Sequence, residues 1–581
     1  MNRVSRVRPI LACIGLVSCF TVFSGRLVNL QVTRHEEYAN LAMAKHVSKQ
    51  PIHAMRGTIT DTRGEILAVS EPLRVVVADG SRMRDIPKAA AILAEVLEMD
   101  EQDILRKVTP QKRYVVLKRK VPEATGRLLE ERLKSARVSG GIQYEPDFKR
   151  IYPNEGMLCH VLGFLNHESA GVQGIEMTMD HYLRGRDGFR IIERNREGAE
   201  IVPYRRHERE ARNGYNVRLT IDMSIQSFVE QELDAAFAEY HPEMATAIVM
   251  EPKTGRILAM ANRPFFNPNK PGEGEPAGKK NAAIINLVEP GSTFKIVTVA
   301  ASLNEGKVTP QTIINVENGR FHYAGKILRD HGHGPFPNLS VSDVLVKSSN
   351  IGVAKMAMMM GEHRFYEYVR RFGFGERTGI NLPGEIPGIV HPPYRWSKIS
   401  ISRIPMGQGV ATTPLQMIVA LSAIANGGKL MMPQIVEDVR DADGTPIVSF
   451  NPVVVREVVD REVTDMVKLA LRDVVSRRGT ANRASVPGYT AAGKTGTAEK
   501  ASPNGGYMKG HYVTSFVGFM PAEDPKLACI VLLDDAQVAA NRNYGGVLAA
   551  PVFSRIAERT ARYWGLPPQF EVEEVPDENT R

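Results

Sequence analysis

Glu289-Pro290-Gly291-Ser292-Thr293-Phe294-Lys295 runs directly into the apolar stretch from Ile296 to Leu303, and this junction decides how the chain is read. Ile296, Val299, Ala300 and Leu303 recur at helical spacing, and Gly306 stands where a helix would stop. Pro290 and Gly291 come just before, so the spacing predicts Ser292 in the first turn of a buried helix. Ser292 and Lys295 are three apart and share one face. A serine hydroxyl is a poor nucleophile until a neighbouring base takes its proton, and a lysine is such a base only once it has lost its own. The partial positive charge of a helix N-terminus suits an attacking oxygen and a developing oxyanion. Alone, Ser-x-x-Lys recurs by chance, and a bland helix start explains most copies.

Two further pieces change that. Lys347-Ser348-Ser349-Asn350 contains a Ser-x-Asn, and Ala492-Gly493-Lys494-Thr495-Gly496-Thr497 contains a Lys-Thr-Gly among small residues. Their order and wide spacing resemble the triplet of serine β-lactamases and penicillin-binding proteins.

Length and composition bound the rest. The chain has 581 residues, enough for about three or four domains. With 43% hydrophobic and 24% charged residues it is globular rather than disordered. The net charge of +9 comes without an arginine-rich run or nucleic-acid motif, so it reads as solvated basic faces and no nucleic-acid partner is expected. Cys13, Cys19, Cys159 and Cys529 follow neither metal nor disulfide spacing.

Near the start, Arg3, Arg6 and Arg8 precede an uncharged run from Pro9 to Gly25, and Arg26 can snorkel so that Leu27 to Val32 extend it. This predicts one transmembrane helix with a cytoplasmic N-terminus. Leu16-Val17-Ser18-Cys19 resembles a lipoprotein-type cleavage site, but the apolar run continues through Phe20, Val22 and Phe23, favouring an uncleaved anchor. Arg56 to Ala68 reads as two strands around a turn at Arg63-Gly64, and residues 86 to 136 as helical, with Ala89, Ile92, Leu93 and Val96 on one face. Gly171 to Glu176 and Arg194 to Gly198 read as glycine-punctuated turns without a phosphate-binding context. Beyond Gly214 come a helix from Ser224 to Tyr240, a hairpin of Ala245 to Met250 with Arg256 to Ala261, and a Pro/Gly-rich loop from Phe266 to Lys280. A mostly helical stretch runs to about 425, followed by the Lys494 strand, Thr514 to Pro521, Leu527 to Leu533 and a helix after Pro551. Strands on both sides of a helical insertion predict an antiparallel sheet flanked by helices. The acidic tail after Trp564 is expected to be disordered.

On these residues the chain is identified as a member of the class B penicillin-binding proteins, membrane-anchored peptidoglycan D,D-transpeptidases. The resemblance is nearly end to end. It implies an α+β architecture with a cytoplasmic N-terminus (1–8), a transmembrane anchor (9–32), an elongated mixed α/β pedestal (33–215), a serine β-lactamase-like transpeptidase domain (216–565) and the tail (566–581). Gly25 to Gln31, the Glu289 to Thr293 context and the Lys494 to Lys500 run resemble the cell-division (FtsI-type) branch, with the elongation-specific branch as its rival. No glycosyltransferase motif precedes the transpeptidase region, which disfavours the bifunctional class A layout, and the tail lacks room for the C-terminal modules of some relatives.

The resemblance implies a role for each site residue. Ser292 is the nucleophile, attacking the penultimate D-alanine carbonyl of a stem pentapeptide. Lys295 is its base, with its proton affinity lowered by a second ammonium on Lys494 at a cost of about 4 kcal/mol for an effective dielectric near 20. Ser348 relays protons to the leaving group, and Asn350 holds Lys295 and the substrate amide. Lys494 and Thr495 bind the substrate carboxylate, Gly496 permits close approach of the substrate backbone, and the N–H groups of Ser292 and Thr497 form the oxyanion hole. No cofactor or metal is implied. The implied partners are the stem pentapeptide, β-lactam antibiotics, a membrane-embedded glycan polymerase of the SEDS family and other divisome proteins. The implied location is the bacterial inner membrane, single-pass, with the catalytic domain periplasmic.

Other features have plainer readings. Asp330-His331-Gly332-His333 lacks a separated third metal ligand and reads as a loop near the cleft. Met356 and Met358 to Met360 read as core packing, Ser349 and Phe294 as packing or support, and Lys347 as a solvated or structural charge. Gly407-Gln408-Gly409 with Thr412 to Gln416 resembles a segment lining the cleft floor, and residues 501 to 511 could gate the acceptor. Ser-Thr-Phe-Lys also occurs in class D β-lactamases and related sensors, but Asn350 and the N-terminal module of about 180 residues speak against that class. An inactive division scaffold is the remaining alternative, disfavoured by the intact residue set.

Overall fold

The computed structural model describes residues 7–38, 47–193, 208–330, 336–502 and 505–571. The acidic tail beyond 571, the turn at 194–198 and His331 to Gly334 lie outside them.

Val7–Val28 is a continuous α-helix, and the segment Pro9–Thr33 is long and apolar enough to cross a membrane, with mean hydropathy 1.9. Twenty-two helical residues rise about 33 Å, matching a hydrocarbon core.

Contacts divide the chain into two compact units that interleave in sequence: 1–55, 71–149 and 185–214 in the first, and 56–70, 150–184 and 215–581 in the second. The division therefore does not follow one cut near residue 215. In the first unit, helices Ile86–Leu97, Glu101–Lys107 and Glu123–Ser135 pack on strand Val115–Pro122 and on residues 71–78 of a long strand. Their core is Val76, Ala89, Leu93, Leu97, Ile104, Leu117, Leu129 and Leu133. The helical reading of 86–136 holds only in part, because a strand interrupts it at Val115–Pro122. Val115, Val116, Leu117 and Val121 supply the β-favouring residues there. Asp85 and Asp100 cap two of the helices, accepting from Lys88 N and Gln102 N. The burial stripe is Ala89, Ala90, Leu93 and Leu97, with Ile92 and Val96 at its margin.

The second unit is built on an antiparallel sheet of five strands. In chain order these are β1 (Met244–Met250), β2 (Ile257–Arg263), β3 (Ala492–Ala501), β4 (Tyr507–Met520) and β5 (Leu527–Asp534), arranged β2-β1-β5-β4-β3. Side chains alternate across it. Ala247, Val249, Cys529, Val531 and Phe516 face helices α1 (Met223–Tyr240) and α7 (Gly545–Tyr563). Ile248, Met250, Ile530, Leu532 and Val517 belong to the other core, with α2 (Lys295–Asn304), α3 (Val341–Val346), α4 (Asn350–Met360), α5 (Pro414–Ala425) and α6 (Arg461–Val475). This is the expected antiparallel sheet flanked by helices. The last helix begins before Pro551 rather than after it and carries that proline inside.

Residues 56–70 and 150–184 of this unit are tied to each other by a buried ion cluster. Glu176 is fully buried and accepts from Arg56 Nε at 2.7 Å, Arg150 Nε at 2.7 Å and Tyr152 Oη at 3.2 Å. Arg56 reaches Asp180 at 2.6 Å, and Arg150 donates to the Gly57 carbonyl. The strand pair that begins at Arg56 and the turn that ends at Glu176 thus meet as ion partners 120 residues apart.

Candidate active site

The expected helix start at Ser292 is a 3-10 turn, Gly291–Phe294, that passes straight into α2 at Lys295. Helix α2 ends at Asn304, and Gly306 N closes onto the Leu303 carbonyl. Phe294 is buried against Phe374 and anchors the turn from below. The turn is wedged between two glycines. A Cβ on Gly407 would lie 2.2 Å from the Gly291 carbonyl oxygen, and one on Gly496 would lie 2.3 Å from Ser515 Oγ and 3.1 Å from the Pro290 carbonyl oxygen. Gly496 therefore serves the packing of β3 against the nucleophile turn, a constraint that the motif alone does not reveal.

Lys295, Ser348 and Lys494 come together in the interior. Lys295 Nζ lies 2.5 Å from the Ser348 carbonyl oxygen and 3.1 Å from Ser348 Oγ, while Lys494 Nζ lies 3.0 Å from the same Oγ. Both lysines are fully buried. Burial alone pushes the Lys494 ammonium down to about 7. Burial also holds Lys295 well below the usual lysine range, with the Lys494 charge as the second cause and Asp330 opposing both. Desolvation therefore outranks the ammonium–ammonium repulsion as the cause. One hydroxyl lies between two amines whose proton affinities burial has lowered, an arrangement suited to a proton relay.

Ser292 is half-buried, and its hydroxyl has no hydrogen-bond partner among the described residues. In this resting state Lys295 is engaged by Ser348 instead. Ser348 has left-handed backbone with φ of 58°, a costly conformation for a serine. Asn350 opens α4, and its side-chain amide donates to the Arg329 carbonyl at 2.8 Å, with no hydrogen bond to Lys295. Lys347 is tied to the Arg478 carbonyl, away from the relay. Thr495 Oγ1 lies 3.1 Å from Thr480 Oγ1 and 3.4 Å from Lys494 Nζ, and Thr497 Oγ1 accepts from Gly545 N.

Asp330 and Thr480 carry no motif, and Glu289 gains contacts that its motif does not show. Asp330 accepts from Ser349 Oγ, Asn350 N and Ile351 N. Thr480 partners Thr495. Glu289 accepts from Gly409 N at 2.8 Å and from Tyr507 Oη at 3.0 Å, and burial raises its carboxyl above the usual range. In the sequence, Asp330 is visible only as part of the Asp-His-Gly-His run.

Residues 245–558 match the penicillin binding protein transpeptidase domain, and residues 51–219 match the penicillin-binding protein dimerisation domain. The chain belongs to the penicillin-binding protein transpeptidases. It is 31% identical to stage V sporulation protein D of Bacillus subtilis, over 98% of this chain and 87% of that protein. It is 30% identical to peptidoglycan D,D-transpeptidase FtsI of Escherichia coli, over 97% of this chain and 92% of that protein. Among solved structures it resembles penicillin-binding protein 3 of Mycobacterium tuberculosis complexed with aztreonam, at 27% identity and a TM-score of 0.69, covering 90% of this chain and 99% of that one. A peptidoglycan synthetase from Bifidobacterium adolescentis gives 26% identity and a TM-score of 0.74, covering 90% and 98%. The chain is thus a class B peptidoglycan D,D-transpeptidase, a serine acyltransferase that acts on peptidoglycan and binds β-lactams.

Proposed function

We propose that this enzyme closes peptide cross-links in the septal wall through a Ser292 acyl-enzyme. The observation that carries the catalytic part is the Ser348 hydroxyl held between the buried amines of Lys494 and Lys295, the latter one helical turn along from Ser292. Ser292 Oγ attacks the penultimate D-alanine carbonyl, and its proton passes to neutral Lys295. The oxyanion is held by the N–H groups of Ser292 and Thr497. Collapse breaks the peptide bond, and the departing D-alanine amine takes a proton by way of Ser348. An acceptor amine then attacks the ester, its proton returns to Lys295, and Ser292 is released. Lys494 and Thr495 hold the terminal carboxylate, whose charge favours the ammonium form of Lys494. Asn350 orients the substrate amide.

The septal role is supported by the residue patterns shared with FtsI-type enzymes and by the likeness to FtsI itself. An elongation role is the competing reading, since the transpeptidase and dimerisation domain matches are not specific to either branch. The proposed layout is an anchor at 9–32 with its N-terminus in the cytoplasm, a pedestal at 33–215 and a transpeptidase domain at 216–565 outside the inner membrane. The anchor and pedestal would dock a glycan polymerase of the SEDS family and other divisome proteins. Depletion in cells decides the branch: filaments with unfinished septa are expected, whereas rounded cells that still divide would overturn the septal reading.

A further inference from the structure

Asp330 ends strand Lys326–Arg329, and its carboxylate covers the first amides of α4. Oδ1 accepts from Asn350 N at 2.6 Å and Ile351 N at 3.0 Å, and Oδ2 accepts from Ser349 Oγ at 2.7 Å. Ser349 Oγ in turn accepts from Gly352 N. These bonds fix the chain directly after Ser348, the residue whose left-handed backbone aims both its carbonyl and its hydroxyl at Lys295. The segment thus holds three positive contributions, Lys295, Lys494 and the N-terminus of α4, against one carboxylate.

Among the described residues, the other charges nearby pair elsewhere or are exposed. Lys347 is held by the Arg478 carbonyl, Lys355 pairs with Glu317 at 2.5 Å, and the Arg329 side chain is exposed. Among the described residues, the charges that act on Lys295 are Lys494 and Asp330, in opposite senses.

We propose that Asp330 is a positioning residue that also acts electrostatically. It holds Ser348 in its strained relay geometry and supplies the negative charge that keeps Lys295 basic enough to take the Ser292 proton. This rests on the reading of Lys295 as the base. Without the charge, Lys295 would be a weaker base for the hydroxyl proton.

The test is the second-order rate of acylation by benzylpenicillin across pH 4.5 to 9, in the full-length detergent-solubilised protein and in Asp330→Asn. Asparagine retains an acceptor for the two backbone N–H groups and removes the charge. The expected result is a rising limb whose midpoint lies lower by about one pH unit in the variant, with a reduced plateau. Ser349→Ala, which removes one hydrogen bond to Asp330 but no charge, is expected to lower the plateau without moving the midpoint. An unmoved midpoint in Asp330→Asn overturns the proposal while leaving the transpeptidase reading intact. A wild type that is not acylated overturns both. If Asp330→Asn is inert at every pH, Asp330→Glu decides: recovery to within about tenfold of wild type, a loss smaller than the about 10²–10⁴-fold of a missing general base, supports the charge, and continued inertness overturns it.

Discussion

Two buried clusters in the same unit bring cations together and treat them in opposite ways. At Glu176, two arginines meet one fully buried carboxylate, with Asp180 adding a second for Arg56. At Ser348, two lysines meet a neutral hydroxyl, and the carboxylate of Asp330 is hydrogen-bonded to the start of α4 and to neither lysine. Arginine cannot shed its proton in a protein, so a buried pair of them must be given partners. Lysine can shed its proton, and withholding the counter-ion forces it to. On the proposed mechanism the first cluster is a structural joint and the second a reagent. The choice of cation, together with the supply of carboxylate, sets which.

The largest expected effect comes from making the second cluster resemble the first. Lys295→Arg fixes a charge where a neutral amine is needed. Penicillin acylation should fall by about 10²–10⁴-fold, the usual contribution of a general base, with the fold retained by circular dichroism. A loss under tenfold would contradict the assignment.

Breaking the joint gives the reverse pattern. Glu176→Ala leaves Arg56 and Arg150 buried without their shared partner and should cost about 3–5 kcal/mol in urea unfolding. The acylation rate per folded molecule should stay within a few-fold. A cost under about 1 kcal/mol would mean that water replaces the carboxylate.

A smaller effect follows from linkage. Lys494 is lowered in the folded state to about 7, so between that value and the unfolded value near 10.5 the unfolded chain binds more protons. Stability should then rise with pH across this window, by at most about 1.4 kcal/mol per unit. The comparison is the urea midpoint at pH 7.5 and 9 in wild type and in Lys494→Met, where the slope should flatten. Equal slopes would show that Lys494 keeps its proton when buried.

The smallest effect is expected at the rim. Tyr507→Phe removes the phenol that donates to Glu289, and a loss of about 1 kcal/mol, or a few-fold in acylation, is the expected scale. No change in rate would make that contact incidental to the turn that carries Ser292.

The same contrast explains what the sequence made legible. Ser292, Lys295, Ser348, Asn350, Lys494 and Thr495 lie in short motifs whose chemistry is local, and the strands and helices around them follow from period and turn residues. Asp330 was not legible, because its role depends on a strand end lying across the start of a helix 20 residues later. Arg56 and Glu176 lie in segments that read as a pair of strands and a glycine-punctuated turn, and nothing in either names the other as its partner. Gly496 reads as a substrate-facing glycine until the fold places Ser515 and Pro290 against it. The strand at Val115–Pro122 was hidden inside a charged stretch whose flanks are helical, and the helix through Pro551 overrides the usual reading of an interior proline as a boundary.

The most direct measurement is intact-protein mass spectrometry over time after adding benzylpenicillin, on wild type and Ser292→Ala. One penicilloyl adduct on the wild type, persisting for many minutes and absent from the variant, is the predicted result. An adduct that also forms on Ser292→Ala would contradict Ser292 as the nucleophile, and an adduct that clears within seconds would mark a hydrolase instead of a transpeptidase.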